Sequence, residues 1–213
     1  MMNAALARRY RLGGVLRSLA IGVLVLAWGA AATPRPAAAG DDPKAFVQGI
    51  GEQVVKVLQQ NLSREKTGEQ LNAIWLQAFD VDGIGRAVLG KNWKKASDEQ
   101  RKAYMELFPK YVAKLYAIQF SDYAGQTFAV SGTKPGADGT TIVNAEIDQP
   151  NNEPIKLDFI VQSGGQGPKV TDVKVEGVSL LVTKRSEFDS VIAQKGIDGL
   201  IQALRRKVDE TLG

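Results

Sequence analysis

The chain has 213 residues, of which 44% are hydrophobic, 23% charged and 7% aromatic. That length admits one or two domains, and the composition is too apolar for disorder and too polar for a polytopic membrane protein. There is no His and no Cys, which excludes Ser-His-Asp and Cys-His catalysis, His-ligated metals, disulfides, zinc ribbons, iron–sulfur clusters and lipid-modified Cys anchors. The net charge of +4 resides in residues 1–39, which hold five Arg and no acid; residues 40–213 carry 22 basic and 23 acidic groups. No basic footprint for nucleic acid survives once that segment is set aside.

Residues 1–39 read as a secretory signal peptide. Arg8, Arg9, Arg11 and Arg17 form a positive start, and Ser18 to Pro34 is a 17-residue uncharged run with an apolar centre. Ala37-Ala38-Ala39 before Gly40 suits a small-residue cleavage site. The run is shorter than the roughly 20 apolar residues a membrane span prefers. The expected mature domain is 40–213, 174 residues. A chain of that size buries roughly 70% of its unfolded surface and needs no covalent staple.

In the mature part, Asp42 with Pro43 suits an N-cap and first helical position, and Phe46, Ile50, Val54, Val57, Leu58 and Leu62 recur at helical spacing. Thr67 with Gln70 reads as a capping box for a second helix carrying Leu71, Ile74, Trp75, Ala78 and Phe79. A short helix is expected over Gly83–Leu89. Ser97 with Gln100 is another capping box, followed by Tyr104, Leu107, Phe108, Tyr111, Val112, Leu115 and Ile118 on one face. Pro109 lies inside this stripe and predicts a kink or a split.

The period then changes to two. Thr127–Ser131, Thr141–Asp148, Ile155–Gln162 and Lys169–Glu176 read as strands separated by turn chemistry. Alternation such as Ile155, Leu157, Phe159 and Val161 against Lys156, Asp158 and Gln162 predicts an antiparallel meander with one buried face. Helical spacing returns with Leu181, Phe188, Val191 and Ile192, reaches a C-cap at Gly196, and resumes through Ile197, Leu200, Ile201, Leu204 and Val208. The fold class is therefore α+β: a curved antiparallel sheet of four or more strands packed against N- and C-terminal helices.

The chain carries little reactive chemistry. "SREKTG" (63–68) holds S-x-x-K and K-T-G overlapping in six residues and sharing Lys66, so they cannot converge on one substrate as in penicillin-binding enzymes; it reads as a polar interhelical loop. Asp80 and Asp82 in "DVDG" lack the spacing of a calcium loop and read as a cap for the next helix. "GGQG" at Gly164 precedes no helix and reads as a hairpin, not a phosphate cradle. No catalytic residue, no metal site and no cofactor is assigned. The large apolar side chains on three helix faces and one sheet face admit a solid core or an apolar cavity between sheet and helices.

Two blocks bear on that choice. "FDVDGIGRAVLGKNWKKASDEQRKAYMELFPKYVAKLY" contains Phe79-Asp80, Leu89-Gly90, Trp93 and the Ser97–Gln100 cap. "VTDVKVEGVSLLVTKRSEFDSVIAQKGIDGLIQAL" contains Asp172-Val173, Glu176-Gly177-Val178-Ser179, Arg185, Phe188, Gly196 and Leu200-Ile201. In these residues, and in their order along nearly all the mature chain, the sequence resembles the MlaC/toluene-tolerance family of exported phospholipid carriers. Pro109 and the Gly-rich "SGGQGPKV" depart from the family pattern.

The resemblance implies a periplasmic, monomeric shuttle that is not an enzyme. Its cargo would be phospholipid, with acyl chains enclosed between sheet and helices. Its partners would be an outer-membrane lipoprotein complex and an inner-membrane ABC transporter, in the maintenance of outer-membrane lipid asymmetry. Each buried methylene contributes about 0.8 kcal/mol, so such a site needs no specific head-group contact. The candidate lining is Ile74, Phe108, Tyr111, Val112 and Leu115 from helices. From strands it is Phe128, Val130, Val143, Ala145, Ile147, Leu157, Phe159, Val161, Val173 and Val175. At each position packed core and lipid contact both remain open on sequence grounds, as they do for Trp75 and Trp93 at a possible mouth. Asp172, Glu176 and Arg185 are expected to fix local geometry. Alternatives are a carrier for hopanoid or other apolar lipids, a small enzyme with an Asp/Glu pair, and an interaction module with a solid core.

Overall fold

A computed structural model describes residues 42–119, 125–150, 152–165 and 167–210. The export segment expected at 1–39 lies outside them. Five helices come first: α1 Pro43–Leu58, α2 Arg64–Ala78, α3 Val81–Leu89, α4 Lys91–Lys95 and α5 Asp98–Gln119. The strands β1 Thr127–Pro135, β2 Thr141–Gln149, β3 Asn152–Gln162, β4 Lys169–Val175 and β5 Val178–Ser179 follow, and α6 Leu180–Asp209 closes the chain. The strands form one antiparallel sheet in sequence order.

The caps explain most helix starts. Asp42 accepts from the Lys44 amide at 2.9 Å, with Pro43 in the first turn. Asp80 accepts from the Gly83 amide at 3.0 Å, so it caps α3. Ser97 and Gln100 bond each other's amides reciprocally at 3.2 and 3.0 Å, satisfying two donors that a helix start leaves open.

The α2 start differs from the expected box at Thr67. Ser63 is the cap, 3.4 Å from the Lys66 amide, and the Thr67 amide already bonds the Ser63 carbonyl at 2.9 Å. Arg64, Glu65 and Lys66 are good helix formers, so the earlier of two possible caps nucleates the helix. "SREKTG" is the first turn of α2, not a loop.

α5 is not split: it runs as one helix through Pro109. Proline keeps a φ compatible with helix; it removes one donor and crowds the preceding turn, at a cost of about 3 kcal/mol. Tyr104, Phe108 and Val112, all buried on either side of it, hold the helix together through burial that exceeds this cost. α6 bends instead at Gly196, whose φ of +70° is a left-handed conformation that glycine adopts without a steric penalty.

Two cores result. In the helical one, Tyr104, Phe108, Val112, Phe188, Leu200 and Leu204 pack with α3 residues Ile84, Val88 and Leu89. The sheet core joins Val143, Ala145, Leu157, Phe159, Val161 and Val170 to Val47 and Ile50 of α1 and Ala78 of α2. A bridge between Phe79 and Val170, with the Asp80 amide 2.9 Å from the Val170 carbonyl, ties the α2–α3 junction to β4.

Tyr104 is fully buried, and its hydroxyl donates to the Gly85 carbonyl at 3.0 Å. Burial pushes its pKa well above the ordinary tyrosine value. The unfolded chain therefore releases this proton above pH about 10 while the folded chain retains it. The stability linked to Tyr104 is complete below that pH and falls by about 1.4 kcal/mol per further pH unit. Tyr104→Phe is expected to lose about 1 kcal/mol at pH 8 with its hydrogen bond and to show a smaller loss between pH 8 and 11 than wild type. Urea midpoints of both chains at the two pH values test this; equal losses would refute it.

Candidate functional site

The sheet presents one continuous apolar face. Strand register aligns Phe128, Ile147 and Ile155 in one row. Val130, Ala145, Leu157 and Val175 form the next, and Val143, Phe159 and Val173 a third. Directly paired residues share a face, so nine of these ten positions gather strand residues expected to line a cavity; Val161, paired with Val170, completes that set. On the other face Asn144 donates to Asp158 at 2.5 Å, and Glu146 stands opposite Lys156.

Bulges interrupt all three long ladders: between Val130 and Gly132, between Ile147 and Gln149, and between Ile160 and Val161. Each adds local twist and bends its strand. The first bulge also lets β1 continue past Ser131, where the alternation suggested it would stop, to Pro135. At the third, the Thr171 hydroxyl donates to the Ile160 carbonyl at 3.2 Å, supplying a partner where the ladder shifts.

α1 covers this face. Val47 and Ile50 are buried in it, and Phe46 and Val54 pack at its edge. Gly51 permits the approach: a β-carbon there would fall 2.0 Å from the Phe128 ring. The Gln48 side chain accepts from the Val130 amide at 3.2 Å. Between α1 and α2 lies a cavity of about 130 Å³ bounded by Phe46, Ile50, Gln53, Ile74, Gln77 and Ala78. Helical spacing identified the α1 stripe but not which helix would close the sheet, so Phe46, Val47, Ile50 and Val54 were absent from the expected lining.

The helical candidates divide. Ile74 borders the cavity and packs on the sheet core. Phe108 and Val112 are buried in the helical core instead, with Tyr111 packed against it; Leu115 is half-buried. The Tyr111 ring lies 6.0 Å from that of Phe188, and its hydroxyl is 3.3 Å from Lys184 Nζ, which also pairs with Glu187 at 2.5 Å. Burial opposes the Lys184 charge, but Glu187 and Tyr111 outweigh it and raise the pKa. The Trp75 ring lies 4.3 Å from that of Phe79 at a tilt of 36° and packs against the helical core. Trp93 is half-buried with Arg86 and Arg101 within 5.3 and 5.6 Å of its ring.

The three charged residues expected to fix geometry have local partners. Asp172 accepts from the Ser179 hydroxyl at 2.6 Å and the Leu181 amide at 3.1 Å, holding the start of α6 against β4. Glu176, with φ +49°, bonds the Lys156 amide through its carboxylate at 2.6 Å. Arg185 Nε donates to the Ala87 carbonyl at 2.6 Å, joining α6 to α3. Among the described residues no cluster of three or more His, Cys, Asp or Glu could hold a metal ion, and no helix is long and apolar enough to cross a membrane.

Comparison with known proteins places this architecture. The chain is similar to the intermembrane phospholipid transport system binding protein MlaC of Haemophilus influenzae, 26% identical over 187 residues that cover 84% of this chain and 87% of that protein. It is also similar to toluene tolerance protein ttg2D of Pseudomonas putida, 25% identical over 183 residues, 83% of this chain and 84% of that protein. Its fold is similar to that of the phospholipid-binding protein from Ralstonia solanacearum, solved in complex with a phospholipid. That match has a TM-score of 0.69 and 24% identity, and covers 78% of this chain and 97% of the other. Residues 48–206, from within α1 to near the end of α6, match the family model described as MlaC protein, and the chain belongs to the MlaC family.

Proposed function

We propose that this protein is an exported phospholipid carrier, a single domain over residues 40–213 whose cargo lies against the apolar face of the sheet. The observation that carries the reading is that face: three cross-strand rows of apolar side chains, free of charged residues and covered by an amphipathic helix. Family membership supports it, as do the phospholipid-related names of the relatives. The reading assigns no catalytic residue. It places the protein in the periplasm after removal of residues 1–39, exchanging lipid with an outer-membrane lipoprotein complex and an inner-membrane ABC transporter.

The cavity beside Ile74 is about 130 Å³, below the roughly 300–1,000 Å³ of ligand pockets. Loading an acyl chain therefore requires α1 to rise from the sheet. Among the described residues it packs there through Phe46, Val47, Ile50 and Val54, beside the bond between Gln48 and the Val130 amide, so acyl methylenes replace one apolar surface with another at little cost. The lining in this reading comprises Ile74 with the strand residues, joined by Phe46, Val47 and Ile50. Phe108, Tyr111 and Val112 belong to the helical core instead and are left out of the lining, as is Leu115.

Native mass spectrometry of protein recovered after export tests the proposal. A chain beginning near Gly40 with bound diacyl lipid is expected. Ligand at 100 times its Kd stabilises the folded state by about 2.7 kcal/mol, so reloading the delipidated protein should raise Tm by roughly 5–11 °C. A lipid-free protein whose Tm ignores added phospholipid would overturn the carrier reading. An intact N-terminus would overturn the processing.

A further inference from the structure

The charge of the mature chain is unevenly spread. Residues 86–102 hold six basic and two acidic side chains, while the rest of 40–213 holds 16 and 21. Arg86, Lys91, Lys94, Lys95 and Lys102 are exposed, and none of them enters the ion pairs found among the described residues. Of the nearby acids, Asp98 is paired with a cation, and Glu99 and Asp198 hydrogen-bond neutral donors. Asp98 pairs with Arg101 at 2.9 Å, Glu99 accepts from the Ser97 hydroxyl at 2.8 Å, and Asp198 accepts from Gln100 at 2.9 Å.

The patch is built onto a cleft. Asn92, the buried polar residue of α4, donates to Asp189 at 2.6 Å and fastens α4 to α6. This leaves a cleft of about 380 Å³ at the bend made by Gly196, lined by Lys91 and Lys95, by Ile192, Ala193 and Ile197, and by the Asn92–Asp189 pair itself, so that two lysines face one carboxylate already held by an amide. Its size is that of a small-molecule site. Cationic lysines beside an apolar wall suit a phosphate attached to a glycerol backbone.

We propose that this face docks on the surface of an anionic lipid bilayer, with the cleft receiving the head group of one anionic lipid. Arg86 and Arg101 flank the half-buried Trp93 ring, and the exposed Lys91 and Lys95 line the adjoining cleft of the same helix, an interfacial pattern. Each such lysine favours an anionic surface by roughly a five-fold change in partitioning. The remainder of the mature chain is net negative, so the same field turns this face toward the bilayer and the rest away. The inference goes beyond the cargo reading, because the patch belongs to the helical layer and not to the apolar sheet face.

The test is co-sedimentation of the exported protein with mixed phosphatidylglycerol–phosphatidylcholine vesicles and with pure phosphatidylcholine vesicles, at low and high salt. Binding is expected only to the mixed vesicles and should weaken with salt. Lys91→Gln/Lys94→Gln/Lys95→Gln should lower it about 100-fold. Arg205→Gln/Arg206→Gln/Lys207→Gln removes the same charge from exposed positions in α6 and should retain most binding. If the first triple variant does not fold, the single Lys→Gln variants should each lose about five-fold. Wild type indifferent to the mixed vesicles, as for a patch that serves an acidic protein, would overturn the proposal. So would equal losses in the two triple variants, or no loss in the first. Lipid content measured on the same samples separates this outcome from failure of the carrier reading.

Discussion

Replacing Ala145 with Trp is expected to remove bound lipid while leaving the chain folded. Ala145 is 2% exposed and is the small member of the row formed with Val130, Leu157 and Val175, under α1. In a rigid core the indole would overpack and cost about 1–3 kcal/mol or more. In a carrier whose α1 rises from the sheet to admit acyl chains, the indole takes the space of the methylenes instead. Most of the overpacking is then relieved by the same displacement of α1 that the proposed loading requires. The measurement pairs urea unfolding of the delipidated variant with lipid stoichiometry by native mass spectrometry. A strongly destabilised variant that still carries full lipid would show that Ala145 faces permanently packed protein.

Phe188→Ala should have the opposite profile. Phe188 is 4% exposed, and its ring lies 6.3 Å from Tyr104, 6.4 Å from Phe108 and 6.0 Å from Tyr111. Truncating a buried Phe costs about 3–5 kcal/mol through lost transfer energy and the cavity left behind, a large part of the roughly 5–15 kcal/mol that holds a domain folded. Because this site lies in the helical core and not against the sheet face, lipid stoichiometry of the folded fraction should be unchanged. A loss below about 1 kcal/mol in urea unfolding, or lipid loss without destabilisation, would contradict the division into two cores. The two substitutions together distinguish the layer that stabilises the fold from the layer proposed to hold cargo.

Much of this arrangement is legible in the chain itself. Period-two alternation placed Val143, Ala145 and Ile147 on one face, and the ladders keep them there with Leu157 and Phe159 because a cross-strand neighbour shares its partner's face. The Asp42, Asp80 and Ser97 caps depend on residues within three positions of one another, and all three form. Local reading failed where two local answers competed, as at Ser63 and Thr67, or where distant packing outweighed a local cost, as at Pro109. α4 and β5 were missed because a five-residue helix and a two-residue strand are too short to show a period.

The amino-acid order by itself determined the types of the long elements, the apolar face of each, the absence of His and Cys chemistry, and the family. These properties arise from side-chain identity and spacing over a few residues. Tertiary structure decided which faces meet. Phe108 and Ile74 occupy equivalent places in their own helical stripes, yet one packs against Phe188 and the other against the sheet. That α1 closes the sheet depends on Gly51 clearing Phe128 across 77 residues of chain, and the α4–α6 cleft depends on Asn92 finding Asp189 across 97. Hydrophobic burial is non-directional: it specifies that a face must be covered, and only shape complementarity among the assembled elements specifies by what.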